Sequence, residues 1–198
     1  MKQIFLILTL SSLSVFSQSN FGLGVKGTAN DFDKYQGGVS FGITSEIKIN
    51  DKLSISPEIF FLIKQTYAWR NKDFNKFRDK NNNIIDGFDF ESQVINIPLK
   101  INYYLTKKFY LKTGLDLNYR LNVVGYDWAY EDNTIKELLG NVKKFDFGVI
   151  IGLGYNFNQT FSVRLYRNFG ITNAINKEIV NSLKNSYFSL ALNLNFIK

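Results

Sequence analysis

Apolar residues recur with a period of two along most of this 198-residue chain, and this alternation is its strongest constraint on folding. The clearest stretch covers residues 37–49, where Val39, Phe41 and Ile43 alternate with polar or small residues. A period of two places successive side chains on opposite faces of a β-strand, whereas a helix repeats every 3.6 residues. The chain is therefore predicted to be all-β, and each strand has one apolar and one polar face.

Eight segments fit this alternation, four of them regular and four less so. The regular segments are residues 37–49, 109–121, 145–157 and 187–197, and the less regular ones are residues 21–29, 53–67, 94–104 and 160–169. Pro57 and Pro98 fall within two of the less regular segments. Because proline lacks a backbone donor, we expect a sheet edge or a bulge at these two positions.

The links between the segments alternate strictly between short and long. The short ones are residues 50–52, 106–108 and 158–159, and the long ones are residues 30–36, 68–93, 122–144 and 170–186. In a meander, this order puts every short turn on one rim and every long loop on the other. The predicted fold is an eight-stranded antiparallel up-and-down transmembrane β-barrel with short periplasmic turns and long extracellular loops.

A soluble lipocalin-like barrel could also have eight strands, so the direction of the apolar face decides between the two architectures. The polar face mixes Gly, Ser and Asn with isolated charges of both signs, which suits a narrow lumen. The apolar face is continuous and carries rings near strand ends, as in the girdles of membrane barrels. These rings are Tyr103, Phe109, Tyr119, Phe145, Tyr155, Phe157 and Phe196. The membrane barrel is favoured, and a soluble small-ligand-binding barrel stays as an alternative.

Residues 1–17 have the three-part pattern of a secretory signal peptide. Lys2 precedes an apolar run over residues 4–10, and small residues follow up to Ser17. The run is shorter than the ~20 residues that a membrane-spanning helix needs. We therefore expect export, cleavage before Gln18, and a single barrel domain over residues 18–198.

Composition excludes several kinds of chemistry. The chain contains no Cys and no His, which removes disulfides, thiolate metal sites and the commonest general base. The net charge is +7, and the Lys and Arg residues are scattered along the chain. A nucleic-acid site requires a basic patch. We expect no catalytic residues, no cofactor, no metal and no nucleic-acid partner.

Charged residues on the polar faces are the candidate functional groups. Glu46, Glu58, Lys100 and Arg164 all lie about four to six residues from the short-turn rim, so we expect one charged layer in the lumen. Glu58 and Lys100 lie on neighbouring strands and are the best candidates for a direct ion pair. The further candidates are Asp116, Arg120 and Asp146, of which Arg120 and Asp146 form a second pair near the opposite rim.

The long link over residues 68–93 has two features of its own. Asp79, Asn81 and Asn83 match the first three ligand positions of a calcium loop, but Ile84 and Phe90 stand where that loop needs Gly and Glu. A solvated polar loop is therefore the simpler interpretation. The link also contains five rings, which could form a contact surface or fold back over the barrel mouth. They are Trp69, Phe74, Phe77, Phe88 and Phe90.

Several short motifs are spread along the chain, namely GLGVKGTAN at 22–30, PEI at 57–59, IPLK at 97–100, YYL at 103–105, FDFG at 145–148, GLGY at 152–155, RLY at 164–166 and FGITN at 169–173. Together they resemble the motifs of the outer-membrane β-barrel family of Bacteroidota that is often labelled PorT-like. The resemblance covers essentially the whole mature chain, except that Ile197 and Lys198 follow the last aromatic residue, Phe196. It implies the fold and an outer-membrane location, and it implies no activity.

The expected function is that of an integral outer-membrane barrel with a structural or interaction role, presenting its long loops outside the cell. A narrow passive channel is the second possibility, although eight strands enclose a lumen that side chains can fill. The expected partner is the lipid bilayer of the outer membrane. An extracellular or envelope protein could also bind, and the barrel is expected to be a monomer.

Overall fold

Eight strands form one closed sheet in the computed structural model, which describes residues 19–30, 37–69, 87–125, 139–175 and 184–196. The strands are β1 (Ser19–Asn30), β2 (Gly37–Lys48), β3 (Leu53–Trp69), β4 (Gly87–Tyr104), β5 (Phe109–Gly125), β6 (Phe145–Asn156), β7 (Phe161–Gly170) and β8 (Tyr187–Phe196). Each strand pairs antiparallel with the next, and β8 pairs with β1 from Phe21↔Phe196 to Asn30↔Tyr187. The predicted antiparallel barrel of eight strands is confirmed.

All three short turns are closed by the same device. The side-chain oxygen of Asn50 accepts hydrogen bonds from the backbone N–H groups of Lys52 at 2.8 Å and Leu53 at 2.9 Å. Thr106 and Asn158 occupy the equivalent position in the other two turns and accept from the backbone two and three residues further on. Short polar side chains of this kind favour tight turns because they replace a backbone acceptor.

The two faces of the barrel have opposite character. On β2, the outward-facing side chains of Val39 and Phe41 are 65% and 63% exposed, while Ser40 between them is 3% exposed. The same alternation holds on the other strands, where the outward side chains are apolar and the buried ones are mostly polar. A soluble ligand-binding barrel needs the opposite arrangement. The predicted outward direction of the apolar faces is therefore confirmed.

Strands β3, β4 and β5 extend further toward the long-loop rim than the alternation predicted. Residues 68–69, 87–93 and 122–125 were assigned to loops but belong to strands. In β4, Asp89 and Glu91 occupy outward-facing positions, so the apolar pattern stops before the strand does. In β5, the extra residue between Arg120 and Asn122 interrupts the alternation. The ring of Phe90 is buried inside the barrel, and Phe74 and Phe77 lie outside the described residues.

Neither proline marks an edge or a bulge, contrary to expectation. Pro57 pairs with Leu99 and Pro98 pairs with Asp116 in continuous register. The bulge lies instead near the long-loop rim, where Gln93 pairs with Asn122 and Val94 pairs with Arg120, which leaves one extra residue in β5. A closed barrel has no edge strand, so each proline costs the sheet only a single donor.

Two segments pair with each other just beyond the long-loop ends of β6 and β7. Val142 pairs with Ile175, and the backbone N–H of Lys143 donates to the carbonyl oxygen of Ala174 at 2.8 Å. Ala174 and Ile175 are buried beneath this contact. Nowhere in the part of the chain described here is a helix long and apolar enough to cross a membrane.

Candidate functional site

Charged side chains fill much of the lumen, where they are shielded from solvent. The buried cations are Lys26, Lys64, Lys100, Lys112, Arg120 and Arg164, and the buried carboxylates are Glu58, Asp116 and Asp146. A charge in such a place is tolerated only when an opposite charge or several hydrogen bonds replace its lost hydration. The contacts of these groups therefore define the interior of the protein.

Glu58 is the centre of the largest ionic group. Its Oε2 accepts a hydrogen bond from Lys100 Nζ at 2.5 Å, and its Oε1 accepts one from Arg164 Nη1 at 2.5 Å. Lys112 Nζ lies 3.8 Å from the same Oε1. We call Glu58, Lys100, Lys112 and Arg164 the Glu58 cluster. Because these residues belong to β3, β4, β5 and β7, the cluster bridges the lumen.

Tyrosines and glycines of neighbouring strands fix the Glu58 cluster in place. Arg164 Nε donates a hydrogen bond to the hydroxyl oxygen of Tyr110 at 3.2 Å, and Lys100 Nζ lies 4.5 Å from the ring centroid of Tyr166. A Cβ at Gly154 would come within 2.2 Å of the Tyr110 ring. Gly154 therefore leaves the space that this ring occupies. Gly154 is thus one inward-facing glycine of the lumen that makes room for an aromatic ring.

Asp116, expected to form an ion pair, is instead held by neutral donors. Its carboxylate accepts hydrogen bonds from Asn96 Nδ2 at 2.7 Å, from the Tyr187 hydroxyl at 2.5 Å and from Asn118 Nδ2 at 3.3 Å. Within the described ranges, no Lys or Arg nitrogen lies within 4.0 Å of it. Lys26 reaches it only indirectly, by donating to Asn96 Oδ1 at 2.6 Å.

A second ionic group lies toward the long-loop rim. Arg120 Nη2 lies 2.5 Å from Asp146 Oδ2, and Arg120 Nη1 donates to the carbonyl oxygen of Lys143 at 2.7 Å. Asp146 Oδ1 also accepts hydrogen bonds from Asn118 at 3.0 Å and Asn185 at 3.1 Å. Arg120 and Asp146 thus anchor a segment of the mouth to the barrel wall.

Glu46 does not join the charged layer in which it was expected. It lies near the short-turn rim, only partly buried, and it accepts hydrogen bonds from Ser54 Oγ at 2.5 Å and from the Tyr104 hydroxyl. None of the ion pairs found among the described strands involves it. Strands in a barrel tilt and stagger, so equal distances along the chain from a rim do not give equal depth in the lumen.

Sequence reasoning missed three cations of the interior, namely Lys26, Lys64 and Lys112. Each occupies an inward-facing position of its strand, so the period of two could have identified all three. Lys64 donates to Asn185 and lies 4.7 Å from the ring centroid of Tyr187. These contacts cross between distant strands, and the alternation within one strand does not predict them.

Comparison with known proteins identifies the family. A family model described as "Outer membrane protein beta-barrel domain" matches residues 8–176, which is most of the chain. The chain belongs to this outer membrane protein β-barrel family. It therefore lies in the outer membrane, where its outward apolar face contacts lipid. No curated protein matches it.

Two solved structures of outer membrane proteins are similar to this chain. OprG from Pseudomonas aeruginosa is 14% identical with a TM-score of 0.50, and the match covers 91% of this chain and 96% of that one. Ail of Yersinia pestis in a phospholipid bilayer nanodisc is 11% identical with a TM-score of 0.49, and the match covers 90% and 99% of the two chains. At these identities the likeness concerns the fold alone.

The outer membrane barrel carries aromatic rings at both ends of its apolar face. Tyr119 and Phe145 lie near the long-loop rim with ring centroids 4.7 Å apart. Phe157 lies at the short-turn rim, 5.2 Å from the ring of Tyr155 and 5.9 Å from that of Phe161. Rings at these heights suit the two interfaces between lipid and water.

The structure does not address the calcium hypothesis, because residues 79–86 lie outside its described residues. Across the ranges it does describe, no group of three or more carboxylate ligands could hold a metal ion. The chemistry that the interior offers is therefore ionic and hydrogen-bonding. The ion pairs and hydrogen bonds of the interior link the strands to one another.

Proposed function

We propose that this outer membrane barrel is closed to ion flow and acts as a structural or interaction protein through its extracellular side. The observation that carries the proposal is the Glu58 cluster, in which contacts of 2.5 Å on the two carboxylate oxygens join β3 to β4 and, across the lumen, to β7. An ion crossing the barrel has to separate these pairs, which is costly away from bulk water. Eight strands also leave a lumen that side chains fill.

A narrow passive channel is the second candidate, and one observation favours it. The buried lumenal groups in the described ranges comprise six cations and three carboxylates, so the interior is electropositive. Such an interior would select for anions if it opened. The two candidates differ in whether the wild-type barrel conducts at all.

Planar lipid bilayer recordings test the proposal. The wild-type barrel is expected to give no steady conductance, while a barrel carrying Glu58→Ala, Lys100→Ala and Arg164→Ala is expected to conduct because its lumenal bridge is gone. Lys107→Ala in an exposed short turn is the matched control and should behave like the wild type. A steady, anion-selective conductance of the wild-type barrel would contradict closure and support the channel.

Residues 1–17 are proposed to be a signal peptide, supported by Lys2, the apolar run and the small residues before Gln18. The mass of the protein isolated from outer membranes should match a chain that starts at Gln18. A mass that includes residues 1–17 would contradict this proposal.

Membership of the PorT-like group of Bacteroidota is proposed from motifs such as IPLK at 97–100 and FDFG at 145–148.

The same motifs are structural, and the chain has no His, so we propose that the barrel has no enzymatic activity. Turnover of ester, peptide or lipid substrates by the purified barrel would contradict this. We further propose a monomer, for which the mass of the detergent-solubilised protein is the test.

A further inference from the structure

The Glu58 cluster contains more positive than negative charge. Three cations surround one carboxylate, and each carboxylate oxygen already has a close partner, Lys100 on Oε2 and Arg164 on Oε1. Lys112 Nζ, at 3.8 Å from Oε1, is beyond hydrogen-bonding distance. Glu58 therefore neutralises one charge and leaves Lys112 incompletely compensated.

Lys112 is shut inside the barrel without an acceptor. Its side chain is 0% exposed, and its Nζ has no hydrogen-bond partner among the described residues. The ring centroid of Tyr110 lies 5.7 Å from the nitrogen. A buried ammonium group normally has an opposite charge and acceptors for its three N–H groups, because burial removes its hydration.

The other lumenal carboxylates are occupied elsewhere. Asp116 accepts hydrogen bonds from Asn96 and Tyr187, and Glu46 accepts them from Ser54 and Tyr104. Neither forms an ion pair with Lys112 in the described strands. A water molecule could accept from Lys112, but it would leave the excess charge of the cluster unchanged.

We propose that a small inorganic anion of the halide class binds beside Lys112 and completes the Glu58 cluster. The anion accepts the N–H groups of Lys112 and offsets the positive charge that Lys100, Lys112 and Arg164 share. Lys112 is the fourth residue of β5 counted from a short turn, so the site lies in the half of the lumen nearer the short-turn rim. The site serves the stability of the barrel and does not depend on whether the lumen conducts.

Unfolding of the full mature barrel in detergent tests this site. The urea midpoint is measured while sodium chloride replaces sodium gluconate at constant ionic strength, so that only the identity of the anion changes. Chloride should raise the midpoint, and above its dissociation constant each tenfold rise in chloride should shift the unfolding equilibrium about tenfold. Lys112→Met should abolish this dependence, while Lys107→Met in the exposed turn should keep it.

Bromide supplies a second measurement that needs no variant. Crystals of the wild-type barrel grown with sodium bromide should show an anomalous scattering peak within about 3.5 Å of Lys112 Nζ, at ordinary contact distance for this pair. Equal midpoints in chloride and gluconate, a chloride dependence that survives Lys112→Met, or a bromide-free cluster would each overturn the proposal. If bromide is absent from the cluster, Lys112 is accommodated by a water molecule or as a neutral amine.

Discussion

The carboxylate of Glu58 holds Lys100 and Arg164 at 2.5 Å each, with Lys112 further away. Because three cations surround Glu58, replacing Glu58 is expected to cost more stability than replacing Lys100. Removing the carboxylate leaves three buried cations facing one another. Removing Lys100 leaves a carboxylate that still pairs with Arg164. The simple pair expected between Glu58 and Lys100 is therefore part of a larger group.

Glu58→Gln is expected to lower the free energy of unfolding by on the order of 3–5 kcal/mol, and Lys100→Met by clearly less. The double variant should depart from additivity by about 0.5–3 kcal/mol, because the two residues are in contact. Urea unfolding in detergent or lipid measures all three variants, with Lys107→Met as an exposed control. Equal losses that simply add would show that the two side chains act independently.

The alternation predicted that Glu58 and Lys100 face the lumen, but sequence reasoning did not find every lumenal charge or every partner. Glu58 and Lys100 could be matched because they lie on adjacent strands at similar distances from one rim. Asp116 and Tyr187 could not, because their hydrogen bond joins β5 to β8 across the lumen. That contact depends on the tilt and stagger of the whole barrel, which no single strand encodes.

Some glycines within the strands determine how closely neighbouring strands approach each other. A Cβ on Gly114 of β5 would lie 2.2 Å from the carbonyl oxygen of Leu99 and 2.7 Å from the Cα of Lys100, both backbone atoms of β4. Gly27 of β1 faces outward and has nothing within 4 Å of its equivalent position. A side chain at position 114 would therefore collide with the next strand, whereas one at position 27 would have open space.

Gly114→Ala is expected to destabilise the barrel by about 1–3 kcal/mol, because the backbone of β4 has to move to admit the methyl group. Gly27→Ala is expected to be neutral or slightly stabilising, since alanine restricts the unfolded chain. The urea midpoints of the two variants measure the difference. Equal midpoints would mean that β4 and β5 are not packed as closely as described.

Strand bounds could be predicted where apolar and polar side chains alternate without interruption. The pattern stopped short in β4 because Asp89 and Glu91 face outward near the long-loop rim. There the strand continues while its outward face becomes polar. Alternation detects a strand within an apolar layer, and it loses the strand where that layer ends.

The whole molecule is a closed barrel with an apolar exterior and an ionic interior. Closure follows from eight strands in meander order, since pairing of β1 with β8 satisfies the backbone groups that an open sheet would expose to lipid. The outward direction of the apolar face made the membrane location predictable from sequence. The sequence does not predict whether the loops bind a partner, because the fold sets the positions of the loops and not their binding properties.

Collision measurements on spin-labelled single cysteines test directly whether the apolar exterior contacts lipid. The natural chain has no Cys, so one label can be placed at Leu115, Leu165 or Leu192 on three strands, with Lys107 in a short turn as the control. In reconstituted bilayers, the three outward positions should be accessible to oxygen and shielded from a water-soluble nickel complex, while position 107 should show the reverse. Nickel accessibility at positions 115, 165 and 192 equal to that at 107 would contradict a membrane-embedded barrel.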